Sequence, residues 1–190
     1  TFSNVGKPLE VRYNWEGVKR DIDIDESNKT LWRYKSVLPK VNNIISLGEG
    51  FTPLQQLAPD LYVKNETVNP TGTFKDRGMS IAVTLAKAQG VEEICLPSAG
   101  NSGISAAAYC KEAGIKCHVF LPETIPSEYK KATEKNSVKC VWGDAFESIK
   151  SVKEDCYDHI FVDLNDDQFC IDLAAKNMDS LIRILKPKGV

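Results

Sequence analysis

The chain has 190 residues, of which 42% are hydrophobic and 26% charged, and its 24 Lys and Arg against 26 Asp and Glu leave a net charge of −2. A chain of this size buries roughly 70% of the surface its unfolded form exposes, enough for one good core and a small satellite. The near-balance of charge speaks against nucleic acid or an anionic membrane as the main partner, and no apolar run approaches the ~18 residues of a membrane helix.

Residues 9–14 and 18–24 alternate polar and apolar around Glu16–Gly17, the pattern of a β-hairpin with an acidic exposed edge. Asp21, Asp23, Asp25 and Glu26 crowd that edge. They lack the central glycine and distal glutamate of a calcium loop and read as a solvated strand edge. A short helix is predicted over 29–38, with Leu31, Trp32, Tyr34 and Leu38 as its apolar positions and Pro39 as its stop. Residues 40–60 are loop-rich, with Gly48, Gly50, Pro53 and Pro59.

From residue 61 the rhythm changes. Predicted strands at 61–63, 93–97, 116–121, 138–142 and 159–164 alternate with predicted helices at 75–89, 102–113, 127–135, 144–154 and 172–185. Gly90 and Gly114 close the first two helices. This alternation implies an α/β fold with right-handed βαβ units: a three-layer αβα arrangement around a mostly parallel, Rossmann-like sheet, preceded by the hairpin and short helix. Residues 1–60 form the leading segment and 61–190 the αβα domain. In such sheets ligands sit at the carboxyl ends of strands, which directs attention to the loops at 65–75 and 97–102.

The six cysteines are widely spaced, with no CxxC pair, and His118 and His159 are the only histidines, so no metal site is expected. Most of the cysteines lie in apolar runs and read as buried free thiols of a reducing compartment; with no leader-like opening, the chain is expected to be cytoplasmic.

The segment 69–78 reads NPTGTFKDRG. Pro70 and Gly72 force a turn, and Thr73 followed by Asp76 resembles a capping box, which places Lys75 in the first turn of a helix. The positive end of a helix dipole disfavours a cation there and favours the neutral amine that attacks a carbonyl. On spacing alone, a solvated surface lysine paired with Asp76 explains Lys75 as well. The second loop, Ser98–Gly103, reads SAGNSG after an apolar strand. Gly100 and Gly103 admit close backbone approach, amides at the next helix start favour an anion, and Asn101 and Ser102 are good caps. A plain strand-to-helix turn accounts for these residues equally. The loop is not GxGxxG, residues 72–75 lack P-loop spacing, and a Ser102 nucleophile has no histidine near a strand's carboxyl end.

Together with LGEGFTPL at 47–54, LWRYK at 31–35 and VKNETVNPTGTFKDRG at 63–78, these loops resemble the pyridoxal-phosphate enzymes of the tryptophan-synthase-β fold group, fold type II, and within it the threonine synthases. The similarity runs from about Leu9 to Gly143. The resemblance implies pyridoxal 5′-phosphate as cofactor, held by Lys75 as a Schiff base, with Asn101 bonding its 3′-oxygen. It implies that Ser98, Ala99, Gly100, Asn101 and Ser102 bind the substrate carboxylate, and that Gly48, Glu49, Gly50 and Thr52 line the entrance, with Thr52 a substrate contact. The implied reaction is a lyase's: O-phosphohomoserine and water give threonine and phosphate. The substrate is thus a small phosphorylated amino acid, and the protein partner at most a second copy in a homodimer. Serine/threonine dehydratases share the lysine and glycine loop, and a catalytically silent αβα fragment is the alternative outside enzymology.

The family's glycine-rich phosphate loop and late serine or threonine facing the pyridine nitrogen have no counterpart here; after Gly143 the next glycine is Gly189. Residues 157–190 look instead like a late strand and helix of a nucleotide-type Rossmann domain, with Leu173, Met178, Leu181, Ile182 and Leu185 on one helix face. The expectation is the N-terminal portion of such an enzyme, lacking the phosphate site.

Overall fold

The computed structural model describes residues 23–98, 100–136, 139–143, 145–160 and 176–187. The predicted hairpin at 9–24 lies almost wholly outside these residues, as do 161–164 of the last predicted strand and 172–175 of the last predicted helix.

Among the described residues four strands form the central sheet: β3 (Glu93–Pro97), β4 (Lys116–Leu121), β5 (Lys139–Trp142) and β6 (His159–Ile160). All pairings are parallel, in the order β5-β4-β3-β6. Alternation along the strands builds the two faces. Ile94, Leu96, Cys117, Val119 and Leu121 meet Val83 and Ala86 of α1 (Lys75–Ala88) and Ala106, Tyr109 and Ala113 of α2 (Asn101–Ala113). Cys95 and Phe120, on the opposite face, meet Ile149 of α4 (Ala145–Lys150) and Leu181 and Ile184 of α5 (Met178–Ile184). The three-layer αβα reading therefore holds, because β3 and β4 are buried on both faces and are apolar at successive positions. α3 (Ser127–Glu134) packs beside α2. The chain moves from β3 to β4 to β5 and later returns to the far side of β3 with β6, so the strand order reverses beside the strand that leads into the Ser98–Gly103 turn.

The predicted strand at 61–63 does not belong to this sheet. It forms β2 (Leu61–Lys64), which pairs antiparallel with β1 (Leu54–Ala58), a strand that Pro53 and Pro59 disguise as loop. Every residue of this hairpin is exposed. Over 29–38 only Leu31–Tyr34 is helical, as one 3₁₀ turn, because Trp32 alone of its apolar residues is buried. The helix predicted at 144–154 is likewise confined to Ala145–Lys150.

The segment 30–50 is anchored on α1 by a buried polar stripe. Asp76, Ser80 and Thr84 are spaced four apart and fully buried. Trp32 Nε1 donates to Ser80 Oγ at 2.8 Å, Ser80 donates on to the Ile45 carbonyl at 2.7 Å, and the Ile45 amide donates to Thr84 at 2.9 Å.

Candidate active site

The loop before α1 is organised by its acids. Asp76, fully buried, accepts from the Thr71 amide at 2.7 Å and from the Thr71 hydroxyl at 2.5 Å, and across to α2 from the Ser105 hydroxyl at 2.6 Å. The expected capping box is therefore replaced: Thr73 Oγ1 takes the Lys75 amide at 3.3 Å, and the Asp76 carboxylate turns inward rather than pairing with Lys75. Lys75 is the first residue of α1 and half-buried, its ammonium 5.1 Å from the centre of the Phe74 ring.

A second acid, Glu66, ties three segments together. Arg77 of α1 donates to both its carboxylate oxygens, at 2.7 and 2.8 Å. The Thr52 hydroxyl donates at 2.6 Å and the Asn69 amide at 3.0 Å. The Arg77 guanidinium, followed by the Thr52 and Asn69 hydrogen bonds, holds the Glu66 carboxyl down to about 2 against the opposing effect of burial. Thr52 is buried, its hydroxyl giving to Glu66 and accepting from Arg77 at 3.0 Å, while its carbonyl accepts from Lys64. The structure thus places Thr52 within this clamp.

Glu49 is a third buried acid. It accepts from Ser46 Oγ at 3.0 Å, the Leu47 amide at 3.0 Å and the Tyr109 hydroxyl of α2 at 2.7 Å. Burial, and then the bond to Glu49, push the Tyr109 hydroxyl well above its usual range, so it stays a donor. Next to it, Gly50 has φ +90°, and a Cβ there would lie 2.7 Å from the Leu31 amide nitrogen. Gly48 is exposed in the same loop.

The turn before α2 closes on itself. Ser98, 2% exposed, accepts through Oγ from the Gly100 amide at 3.1 Å and the Gly103 amide at 2.8 Å. A Cβ at Gly100 would meet the Tyr129 ring at 2.9 Å and one at Gly103 the Val119 side chain at 2.8 Å, so both glycines serve close packing. Asn101 opens α2 and is exposed, whereas Ser102 is buried. Ala99 lies outside the described residues.

The Asp76–Ser105 bridge joins the second residue of α1 to the second turn of α2, which brings Lys75 and Asn101 to one end of the helix pair. The amine and the exposed carboxamide are a donor set suited to the aldehyde and 3′-oxygen of pyridoxal phosphate. His118 lies at the other end of the sheet, bonded to Glu93 at 2.7 Å, away from Ser102. Among the described residues no three His, Cys, Asp or Glu side chains cluster as metal ligands, and no helix is long and apolar enough to cross a membrane. Five described cysteines are free thiols.

A family model described as pyridoxal-phosphate dependent enzyme matches residues 45–168, roughly two thirds of the chain. The chain belongs to this family. Pyridoxal phosphate is accordingly the family's cofactor, and the match continues past Gly143, where the short motifs fade. A threonine synthase of Methanocaldococcus jannaschii is 43% identical over 131 residues, covering 62% of this chain and 32% of the relative. A threonine synthase of Methanosarcina acetivorans is 37% identical over 131 residues, or 64% and 32%. One from Bacillus sp. strain ULM1 is 47% identical over 102 residues, or 49% and 29%. The chain spans about a third of the length of these curated relatives. Among solved structures, O-ureido-L-serine synthase superposes with a TM-score of 0.47 at 27% identity, covering 72% of this chain and 42% of that one.

Within this pyridoxal-phosphate dependent family chain, residues the sequence pattern undervalues are Glu66, Asn69, Tyr109 and Ser105. The four-residue spacing of Asp76, Ser80 and Thr84 was available as a sign of a buried polar stripe.

Proposed function

We propose that the chain is the lysine-bearing, N-terminal part of a threonine-synthase-like lyase acting on a small phosphorylated amino acid, O-phosphohomoserine, with water to give threonine and phosphate. The observation that carries this reading is the Asp76–Ser105 bridge, at 2.6 Å, which holds Lys75 and Asn101 at one end of α1 and α2. When bound, pyridoxal phosphate supplies an electron sink for charge developing on the substrate carbons. The protein's own part is position and proton movement. Lys75 Nζ is the group that holds the cofactor covalently and, when free, carries a proton to and from the substrate's Cα. Asn101, exposed at the first position of α2, offers a neutral donor to the cofactor's 3′-oxygen. The Thr52–Glu66–Arg77 clamp and the Glu49–Tyr109 bond fix the loops around Lys75, so that little reorganisation accompanies binding.

Lys75→Ala tests the assignment. The wild-type chain mixed with pyridoxal phosphate is expected to develop the visible absorption band of a lysine-bound cofactor, and the variant to lack it; identical spectra sink the Lys75 role. Phosphate release from O-phosphohomoserine without ammonia release from threonine is the expected substrate preference, and the reverse makes the activity a dehydratase's. Cofactor uptake with neither turnover identifies a binding-competent but silent domain.

A further inference from the structure

Two clefts at the amino end of the sheet take no part in that reading. One is lined by Lys111, Lys116 and Lys139, the other by Lys139 and Lys153, and they meet at His118 and Glu93. The topology gathers the lysines from separate elements. Lys111 lies in the last turn of α2, Lys116 opens β4, and Lys153 follows α4. Lys139 opens β5 directly beside His118 in the β4–β5 register. All four lysines are exposed, and among the described residues none is ion-paired. Among the described residues the one acid lining either cleft, Glu93, is occupied by His118 Nε2 at 2.7 Å. His118 Nδ1 is buried without a hydrogen-bond partner.

Four cations against one engaged carboxylate make a local excess of positive charge in a chain whose net charge is −2. Concave walls concentrate such a field, and lysine ammoniums are compact point charges matched to phosphate oxygens. The lysines are divided between two arms that have only Lys139 among them in common, so an anion that engages both arms carries more than one phosphate group. We propose that this end of the sheet binds a small polyphosphate-bearing anion, at a site separate from the Lys75–Asn101 end. The site holds its ligand by charge.

The test is isothermal titration calorimetry of the whole chain with inorganic tripolyphosphate and, separately, inorganic phosphate. Tripolyphosphate is expected to bind saturably and at least tenfold more tightly than phosphate, with affinity falling steeply as salt is raised. A Lys116→Gln/Lys139→Gln variant is expected to lose tenfold or more, and a Lys40→Gln/Lys87→Gln variant, of equal charge change at exposed positions elsewhere, to bind as the wild type does. The His118 ring resonances are expected to shift on saturation. A thermal midpoint for the Lys116→Gln/Lys139→Gln variant no lower than the wild type's excludes unfolding as the cause of any loss. Absence of saturable binding, equal losses in both variants, or an unmoved His118 overturns the site.

Discussion

At the carboxyl end of the parallel sheet, Asp76, Glu66 and Glu49 each accept several hydrogen bonds, at least one of them from another segment; at the amino end, Lys111, Lys116, Lys139 and Lys153 face solvent, and among the described residues the one carboxylate lining their clefts, Glu93, is bonded to His118. Both ends belong to one sheet, so the contrast is one of use rather than of fold. Buried acids surrounded by donors set loops in a fixed geometry, which is what a reacting amine requires. Unpaired exposed cations leave a field that an arriving anion completes.

The largest expected effect comes from breaking the acid that joins the helices. Asp76→Ala orphans the Thr71 amide and the Ser105 hydroxyl at a fully buried position. It is expected to lower unfolding stability by about 3 kcal/mol, since each buried donor left unmade costs roughly 1–3 kcal/mol. Asp76→Asn keeps an acceptor but turns an NH₂ toward donors, and so falls between the two. Urea unfolding of the three proteins checks the order; an unchanged midpoint for Asp76→Ala shows that the bridge does not hold the helices together.

Next comes an effect readable only through pH. The Glu66 carboxyl titrates at about 2 in the folded chain against an ordinary 4.5, mainly because of Arg77. A depressed carboxyl stabilises above its unfolded value, and that contribution drains away as pH falls from about 4.5 toward about 2, where the unfolded chain takes the proton first. Glu66→Gln is therefore expected to be less stable than wild type at neutral pH and to lose less on acidification through that window. Urea midpoints at several pH values measure it, and parallel curves for the two proteins contradict it.

How much of this was legible beforehand follows the physics of each part. β3, β4, α1 and α2 were readable to within a residue or two, because a strand buried on both faces is apolar throughout and Gly90 and Gly114 stop their helices. The strand at 61–63 was read but placed in the wrong sheet, and its partner β1 escaped, since the mixed Leu and Gln residues of β1 are exposed on both faces and carry no burial pattern. Lys75 and Asn101 were singled out by the family resemblance, since residue type and spacing alone fit a surface lysine and a plain strand-to-helix turn equally well. The clamp did not, because Glu66, Asn69 and Arg77 read as ordinary loop and surface residues, and their pairing depends on the turn at 69–72 folding back onto α1. Nor did the lysine clefts, which gather residues 42 positions apart through strand order that local pattern does not specify.

The smallest expected effect sharpens the comparison most, because its sign is opposite. His118 is held below its ordinary 6.5 first by burial and then by the charges of Lys139 and Lys116, with Glu93 pulling the other way and Tyr157 stacked edge-on at 5.1 Å. Replacing both lysines in Lys116→Gln/Lys139→Gln removes two repulsive charges, so the imidazolium becomes easier to form and His118 titrates at higher pH, as NMR of its ring protons will read. The same substitution is expected to raise the unfolding midpoint slightly at low ionic strength and to leave it unmoved at high salt, where repulsion between exposed lysines is already screened. Removing a charge at the carboxyl end thus weakens the fold by opening a bonded network, whereas removing charges at the amino end relieves one that has no internal partner. A lower His118 titration point in the lysine variant means that Lys116 and Lys139 do not act on the ring, and the amino end then loses its claim to an uncompensated positive field.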